Sequence, residues 1–271
     1  MKKKRKILTA LIIIAAILVC LIAPGLYNGI KIQHYTVESD KINSPVRIAL
    51  VTDTHSCKCR HLTEYIYSEK PDIILLGGDI FDDELPDDNA IHFLDEINET
   101  FPCYYVAGNH EFWSGQASFD FKMWVIEDFG IKRLAGTNEI VTVNGQKLNL
   151  CGVDDPDTFS GDYEQQLKAA NDSSRNGLYT ILLAHRPERM PEYRQYDFDL
   201  VLAGHAHGGQ WRIPFLINGL YSPFEGIFPK YAGGEYDENG TKMIVSRGLA
   251  VETTLVPRIY NRPELVIIDL K

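Results

Sequence analysis

The chain has 271 residues, of which 45% are hydrophobic and 24% are charged, a composition that supports a folded core and excludes a disordered chain. Five of its 27 basic residues lie within the first six positions, where no acidic residue occurs, so the remainder carries 22 basic and 37 acidic residues, a net charge of −15. Because so acidic a body repels polyanions, we do not expect nucleic acid to be the main partner.

The chain begins with a basic cluster followed by an uncharged apolar run. Lys and Arg occupy positions 2–6, and the 21 residues of 7–27 carry no charge, which is about the length that a helix needs to cross a bilayer core of ~30 Å. Positive charge before the run predicts a cytoplasmic tail (1–6), a single-pass transmembrane anchor (7–27) and an extracytoplasmic body (28–271) at the cell membrane. A cleaved signal peptide is the alternative, but the length of the run and the lack of an A-x-A site favour a retained anchor.

Five short apolar runs in the body each end in residues with metal-binding or acid–base chemistry. Their composition is typical of buried strands, and they cover residues 47–52, 73–76, 104–107, 179–184 and 200–203. Helical periodicity fills the gaps, over residues 61–70, 89–100, 116–129, 162–170 and 187–193. The first half is therefore β-α-β-α-β, which predicts a largely parallel sheet whose strands end along one edge, where ligand sites form.

The second half adds a hairpin and closing strands. Asn144-Gly145, a strong turn signal, separates two apolar segments at 141–143 and 147–153, and further strands are predicted at 242–246 and 265–270. Together these elements predict an α/β domain in which two mixed β-sheets pack as a sandwich flanked by helices, preceded by one transmembrane helix.

Seven side chains at the predicted strand ends form a candidate metal site: Asp53, His55, Asp79, Asn109, His185, His205 and His207. Oxygen and nitrogen donors without a thiolate suit Mn²⁺, Fe²⁺, Zn²⁺ or Co²⁺ better than Ca²⁺. Seven ligands exceed the needs of one tetrahedral ion, and they suit two divalent ions that share a carboxylate and leave positions open for water. Gly78, Gly108 and Gly204 precede ligand positions, where the lack of a side chain permits close approach of the backbone.

The order of these blocks resembles that of the calcineurin-like metallophosphoesterases. The blocks are Asp53-Thr54-His55, Gly78-Asp79-Ile80-Phe81-Asp82, Gly108-Asn109-His110-Glu111, His185 and Gly204-His205-Ala206-His207. Five ordered blocks make a specific signal. The continuation Gly208-Gly209-Gln210 and the N-terminal anchor look most like the bacterial membrane-associated branch that includes YkuE- and YaeI-type phosphoesterases.

The resemblance implies a role for each block. Asp53, His55 and His207 would hold a first metal, Asn109, His185 and His205 would hold a second, and Asp79 would bridge both. A hydroxide activated by the metals would attack phosphorus, His110 would stabilise the phosphoryl oxygens or protonate the leaving oxygen, and Asp82 would orient His110. Glu111 stands where many relatives have Asp, and it is not expected to bind metal.

Three further features have two interpretations each. Arg186 either contacts phosphate or has a structural role. Cys57, Cys59 and His61 form either another metal site or a variable loop on the substrate side, and the loop is favoured. The apolar run from Trp211 to Tyr231 either flanks the site and contacts the bilayer or an acyl chain, or packs between the two sheets.

The expected function is hydrolysis of a phosphate ester or pyrophosphate bond in a membrane-proximal substrate, such as a lipid or an envelope precursor. An extracytoplasmic nuclease and a non-catalytic, metal-bound interaction module are the alternatives. The acidic body argues against the nuclease, and the complete ligand set argues against the inert module. Metal identity and the class of ester stay open, because one dinuclear core can serve monoesters, diesters and pyrophosphates.

Overall fold

The structure is a computed structural model that describes residues 2–222, 225–251 and 257–271. An apolar helix, α1 (Lys2–Ile22), opens the chain and leads into a short 3-10 turn, Ala23–Leu26. Within residues 4–26, an uninterrupted stretch of 18 residues has a mean hydropathy of 3.0 and is not buried, which makes this span the one candidate membrane span in the described residues. A signal sequence near the N-terminus would have the same length and composition.

Seven helices and fourteen strands make up the described chain. After α1, the first half contains β1 (Lys31–Val37), β2 (Val46–Val51), α2 (Leu62–Glu69), β3 (Ile73–Gly77), α3 (Asp88–Asn98), β4 (Cys103–Val106), α4 (Asn109–Trp113), α5 (Gln116–Asp128) and β5 (Lys132–Arg133). The second half contains β6 (Thr137–Val143), β7 (Gln146–Gly152), α6 (Tyr163–Ser173), β8 (Tyr179–Leu183), α7 (Met190–Tyr193), β9 (Leu200–Ala203), β10 (Tyr221–Ser222), β11 (Gly226–Ile227), β12 (Gly234–Glu238), β13 (Thr241–Val245) and β14 (Glu264–Leu270). Two 3-10 turns, Pro187–Arg189 and His207–Gly209, follow β8 and β9.

The strands form two mixed sheets of six strands each. The first has the order β1-β14-β2-β3-β4-β5, in which β2 to β5 are parallel and β14 is antiparallel to β2. The second has the order β12-β13-β9-β8-β7-β6, in which the four central strands are parallel and each edge strand is antiparallel to its neighbour. The parallel strands bring their carboxyl ends to one edge, as the β-α-β-α-β pattern predicted.

Alternating side chains of the central strands bury both faces of each sheet. Along β3, Ile73 and Leu75 belong to the core between the sheets, whereas Ile74 and Leu76 pack with residues of α2, α3 and α5. On the far side, Leu167 of α6 and Tyr193 of α7 cover the second sheet. Because both faces are covered, the strands are continuous apolar runs, and the predicted sandwich with outer helices is confirmed.

The structure adds elements that the sequence pattern did not predict. The five-residue helix α4 begins at a predicted ligand and is too short for a helical period to show. Strand β5 has only two residues, and β12 is a polar edge strand in which exposed and partly buried side chains alternate. The predicted helix 187–193 divides into a 3-10 turn and α7, with a proline near the start of each.

The apolar run from Trp211 to Tyr231 does not pack as a core segment between the sheets. Of its large apolar side chains, Tyr231 is buried, whereas most of the others are exposed or only partly buried. Phe224 lies outside the described residues. The core-packing interpretation of this run is therefore wrong for most of its length.

Candidate metal centre

The predicted ligands follow the ends of five parallel strands. Four ligands, Asp53, Asp79, His185 and His205, stand two residues beyond the ends of β2, β3, β8 and β9, and Asn109 is the first residue of α4, just after β4. All seven predicted ligands are at most 8% exposed. The fold therefore gathers these side chains at one edge of the sandwich and shields them from water.

The ligands fall into two groups with Asp79 between them. In one group, ligand atoms of Asp53, His55 and His207 lie within 4.8 Å of one another, and the same limit holds for Asp79, His185 and His205. Asp79 Oδ2 lies 3.1 Å from His185 Nε2 and 3.6 Å from His55 Nε2, so this carboxylate reaches both groups.

Pairs of imidazole nitrogens face each other across the site. His55 Nε2 lies 3.2 Å from His207 Nε2, and His205 Nδ1 lies 3.2 Å from His185 Nε2. The other ring nitrogens are already used, since His55 Nδ1 contacts Asp82 Oδ2 at 3.0 Å and His185 Nδ1 donates to the Gly77 carbonyl at 2.8 Å. Such contacts fix a tautomer and leave Nε2 to face a cation, as they do for metal-bound histidines.

The surroundings of the Asn109 amide oxygen indicate whether the seven predicted ligands fit a metal. Asn109 Oδ1 is buried and has no hydrogen-bond donor among the described residues. A buried acceptor without a donor costs free energy unless a cation takes the donor's place. Together with the facing nitrogens and the shared carboxylate, this oxygen fits a set of donors built for divalent ions.

Burial and neighbouring charges shift the pKa values of the histidine ligands in opposite directions. Burial lowers the pKa of His205 well below its ordinary value, and the nearby His185 lowers it further. Burial also lowers the pKa of His207, together with the neighbouring His55. For His185, burial disfavours charge, but the Asp79 carboxylate outweighs it and raises the pKa to about 10. Without a metal, the raised pKa keeps a proton on His185 beside the Asp79 carboxylate, and a bound metal would displace that proton.

Five of the seven ligands have left-handed backbones without being glycine. Their φ angles lie between 45° and 64°, at Asp53, His55, Asp79, His205 and His207. Each such conformation costs about 1 kcal/mol or more and persists only where surrounding bonds hold it, which is a common feature of functional sites. Here the amide of Asp53 donates to the Gly78 carbonyl at 3.1 Å, and the amide of His55 donates to the Asp79 carbonyl at 2.9 Å.

Glu111 is a structural anchor that the sequence did not reveal. This carboxylate is fully buried and accepts hydrogen bonds from the amides of Gly108 (2.8 Å), Asp79 (3.0 Å) and Phe81 (3.0 Å). It thereby joins the loop after β3 to the loop after β4. Burial raises the pKa of Glu111, and the nearby Asp79 raises it further.

His110 has a different carboxylate partner from the one expected. Asp82 was expected to orient His110, but Asp82 Oδ2 lies 3.0 Å from His55 Nδ1 and 3.5 Å from His110 Nδ1. The closer partner is Asp83, whose Oδ1 lies 2.5 Å from His110 Nδ1. The amides of Glu84 and Leu85 bind Asp82 Oδ1, so the turn directs the other oxygen of Asp82 toward the metal ligand His55.

Arg186 is engaged in a buried ion pair. Its Nε lies 2.6 Å from Asp155 Oδ2, and its Nη2 donates to Asp155 Oδ1 at 2.9 Å and to Asp157 Oδ2 at 3.0 Å. These carboxylates already neutralise the guanidinium, which is 4% exposed. The contacts support the structural interpretation of Arg186 and give no support to a phosphate contact.

Arg258 is a second contact of the site that spacing did not indicate. Its side chain is fully buried, and it donates to the Ala250 carbonyl at 2.9 Å and to the Arg247 carbonyl at 2.8 Å. Its Nη2 lies 3.4 Å from His207 Nδ1. Burial lowers the pKa of Arg258 to about 10. Arg258 therefore supports the His207 ring on the side away from the other ligands.

The Cys57–His61 segment does not form a second metal site. Among the described residues, the groups of His, Cys, Asp and Glu that are close enough to share an ion include none of Cys57, Cys59 and His61. His61 instead contacts Glu64 at 2.8 Å, and the segment lines a cavity of about 250 Å³ next to α2 and α3. The loop interpretation is the one that the structure supports.

The fold and the site define a class: an α/β sandwich that carries two adjacent groups of metal ligands at its strand ends. The sequence profile of the family described as calcineurin-like phosphoesterase matches residues 46–209, which hold all seven predicted ligands. The chain therefore belongs to the calcineurin-like phosphoesterase family, and the resemblance drawn from its motif order is confirmed.

Individual relatives agree with this assignment. The chain is 32% identical over 202 residues to an uncharacterized metallophosphoesterase of Helicobacter pylori, covering 69% of this chain and 52% of that protein. It is 30% identical over 211 residues to the uncharacterized metallophosphoesterase YkuE of Bacillus subtilis, covering 76% of this chain and 70% of that protein. The chain thus spans about half the length of the Helicobacter relative.

A solved structure shows the same fold at low sequence identity. The 5′-nucleotidase precursor of Thermus thermophilus superposes with a TM-score of 0.53 and 14% identity, covering 76% of this chain and 49% of that one. At this identity the likeness concerns the architecture alone, and function has to be argued from the site.

Proposed function

We propose that the chain is a phosphoesterase that uses two divalent metal ions to hydrolyse a phosphate ester or pyrophosphate bond. The observation that carries the proposal is the pair of ligand groups joined by Asp79. Asp53, His55 and His207 would hold one ion, and Asn109, His185 and His205 would hold the other, with Asp79 shared between them. When bound, ions of this kind make water a nucleophile at neutral pH and neutralise charge on the phosphoryl oxygens.

His110 is the proposed acid and oxygen-binding group. Its side chain is partly exposed, unlike the buried ligands, so it can reach a substrate at the mouth of the site. Since Asp83 engages Nδ1, Nε2 is the nitrogen that would donate to a phosphoryl oxygen or protonate the leaving oxygen. We assign Asp83 to the orientation of His110 and Asp82 to the orientation of His55, with a weaker contact of Asp82 to His110.

We further propose that the substrate lies near a membrane. Helix α1 exposes its apolar side chains along its length, and the basic residues of the tail (1–6) favour a cytoplasmic N-terminus with the body (28–271) on the other side. A retained anchor (7–27) would hold the site close to lipids or lipid-linked envelope precursors. The net charge of −15 outside the tail opposes the binding of nucleic acid.

The test is a substrate panel with metal analysis. The full-length protein in detergent, loaded with Mn²⁺, is assayed on p-nitrophenyl phosphate, bis-p-nitrophenyl phosphate, phospholipids and DNA. Asn109→Ala should keep one ion instead of two and lose about 100-fold or more in rate, because a ligand is removed. Asn98→Ala, on α3, is the matched control and should keep both ions and the rate.

Three outcomes would contradict parts of the proposal. If no substrate is hydrolysed by protein that holds two ions, the metal centre has a non-catalytic role. If Asn109→Ala keeps both ions and the wild-type rate, the assignment of ligands is wrong. Hydrolysis of DNA in preference to the lipids would favour the nuclease instead.

A further inference from the structure

An apolar loop projects from the body directly after the last metal ligands. We call residues 211–222 and 225–228 the apolar loop. Its four most exposed apolar side chains are Phe215 (106% exposed), Leu216 (81%), Ile227 (69%) and Phe228 (63%), and Tyr221, Ile213 and Trp211 are exposed as well. Soluble proteins scatter exposed apolar residues singly, and a cluster of this size marks a surface that contacts a partner or a membrane.

The apolar loop has a defined backbone conformation. Ile213 and Ile217 exchange two backbone hydrogen bonds, of 3.0 and 2.9 Å, which close a tight turn with Phe215 and Leu216 at its tip. Phe215 has a φ of 68°, an unusual conformation for a bulky residue, and its side chain is fully exposed. The fold thus presents these side chains to the outside.

The loop is attached to the metal centre at its base. The amide of Leu220 donates to the carbonyls of Gly209 and Trp211, both at 2.9 Å. Gly209 ends the 3-10 turn that begins at the ligand His207, and a Cβ on Gly209 would lie 2.4 Å from the Cα of Gly219. These backbone contacts place the base of the loop directly beside the turn that carries the ligand His207.

The loop is also attached to the end of the anchor. Trp211 pairs with Ile259, and the amide of Arg212 donates to the Ile259 carbonyl at 2.9 Å. The next residue, Tyr260, donates its amide to the Gly25 carbonyl at 2.7 Å. Gly25 lies in the 3-10 turn that follows α1. The apolar loop therefore lies on the face of the body from which the candidate membrane span emerges.

Four basic residues, one of them in the loop itself, lie near one another on this face. We call Lys31, Arg212, Arg247 and Arg262 the basic cluster, and all four are partly exposed. In the described part of the chain, only Arg247 has a carboxylate within ion-pair distance, Glu264 at 3.3 Å. Lys31 instead donates to Gln33, Arg212 to Asn218, and Arg262 to the carbonyls of Gly29 and Ile30. On a body with a net charge of −15, the basic cluster places positive charge on this face.

We propose that the apolar loop and the basic cluster dock on an anionic lipid bilayer, with the loop inserted among the acyl chains and the cations against the headgroups. Exposed apolar side chains beside basic ones are the combination that membrane-surface segments use. Docking on this face holds the metal centre at the lipid–water boundary. In combination with the proposed function, it selects phosphate esters that lie in the headgroup layer of the same membrane.

The experiment measures contact with lipid directly. Full-length protein carrying Phe215→Trp is placed in nanodiscs of phosphatidylcholine whose acyl chains are brominated, and quenching of tryptophan fluorescence is compared with unbrominated discs. Ile140→Trp is the matched control, since Ile140 is 56% exposed on β6, at the edge of the second sheet farthest from β12 and β13. We expect the tryptophan added at position 215 to be quenched at least twofold more than the one added at position 140.

A charge variant tests the basic cluster. Adding phosphatidylglycerol to the discs should increase quenching at position 215, and Lys31→Gln with Arg212→Gln should remove this increase. Equal quenching at positions 215 and 140 would overturn the docking proposal, and cross-linking of two chains through position 215 would assign the loop to a second copy. Quenching is measured in chelator without substrate, so a failure of hydrolysis leaves the docking result intact, and the reverse also holds.

Discussion

Replacing Glu111 tests whether the metal centre depends on a residue that binds no metal. In the wild type, its carboxylate accepts three backbone amides at 2.8 to 3.0 Å in a fully buried position. Glu111→Ala leaves these amides without an acceptor. A buried group without its partner costs about 1–3 kcal/mol, so three of them predict a loss of about 3 kcal/mol or more in the free energy of unfolding. That loss lowers the ratio of folded to unfolded protein by roughly a hundredfold.

The assay is equilibrium unfolding in urea, with the full-length protein in detergent and chelator so that metal loss adds nothing to the difference. Glu139→Ala is the control, because Glu139 is a partly exposed residue of β6 whose pairing with the exposed Lys132 should contribute less than about 1 kcal/mol. Glu111→Gln should lose less than Glu111→Ala, because one oxygen of Glu111 accepts from both Asp79 and Gly108 and an amide oxygen can replace it.

A change below about 1 kcal/mol for Glu111→Ala, or one equal to the control, would refute this reasoning. It would mean that water or a shifted loop satisfies the three amides at little cost. The same variant should also bind metal more weakly after refolding, since the amide of Asp79 is one of the three that Glu111 holds. Normal metal content in Glu111→Ala would show that the loops keep their positions without it.

Three further predictions concern the site. Gly108→Ala should lose bound metal, measured by elemental analysis, because the new Cβ would lie 2.2 Å from Asp79 Oδ1 although the backbone φ of −93° suits any residue; full metal content would contradict it. Asp83→Asn should lower kcat and change its pH profile with metal content unchanged, because its carboxylate contacts His110 and none of the proposed ligands; an unchanged profile would remove Asp83 from the mechanism. The pKa of His185 rises from 6.5 to about 10 in the fold without metal, so the stabilisation that its charge provides is complete below pH 6.5 and is lost as pH rises toward 10. The thermal midpoint of unfolding in chelator should therefore fall over this pH range, and with Mn²⁺ bound this fall should be absent.

The positions of the metal ligands could be predicted because they depend on a general rule. Parallel strands bring their carboxyl ends to one edge, so polar residues after successive apolar runs must meet there. The same rule could not separate Asp82 from Asp83. These two residues are neighbours in one loop, and the turn closed by the amides of Glu84 and Leu85 decides which carboxylate faces which imidazole.

The sequence did not reveal the roles of residues that support the site through the backbone. Glu111 accepts hydrogen bonds from backbone amides, and Arg258 donates to backbone carbonyls. Arg258 also lies about fifty residues further along the chain than His207, the ligand that it contacts. Backbone groups are present at every position, so no spacing of residue types marks such contacts. The exposure of Phe215 was hidden for a different reason, since a run of large apolar residues has the same composition in a core and on a membrane-binding surface.

The metal ligands with left-handed backbones depend on these supporting residues. A chain that places Asp53, Asp79 and His205 at positive φ gives up stability at each of them, and only surrounding bonds can hold them there. Glu111 accepts a hydrogen bond from the amide of Asp79, and the carbonyl of Asp53 accepts from the amide of Ala250 at 2.7 Å. Arg258 in turn donates a hydrogen bond to the carbonyl of Ala250. The ligands are therefore positioned before a metal binds, so the free energy of metal binding is not spent on ordering the loops, and damage to the supporting residues should reduce metal affinity as strongly as it reduces stability.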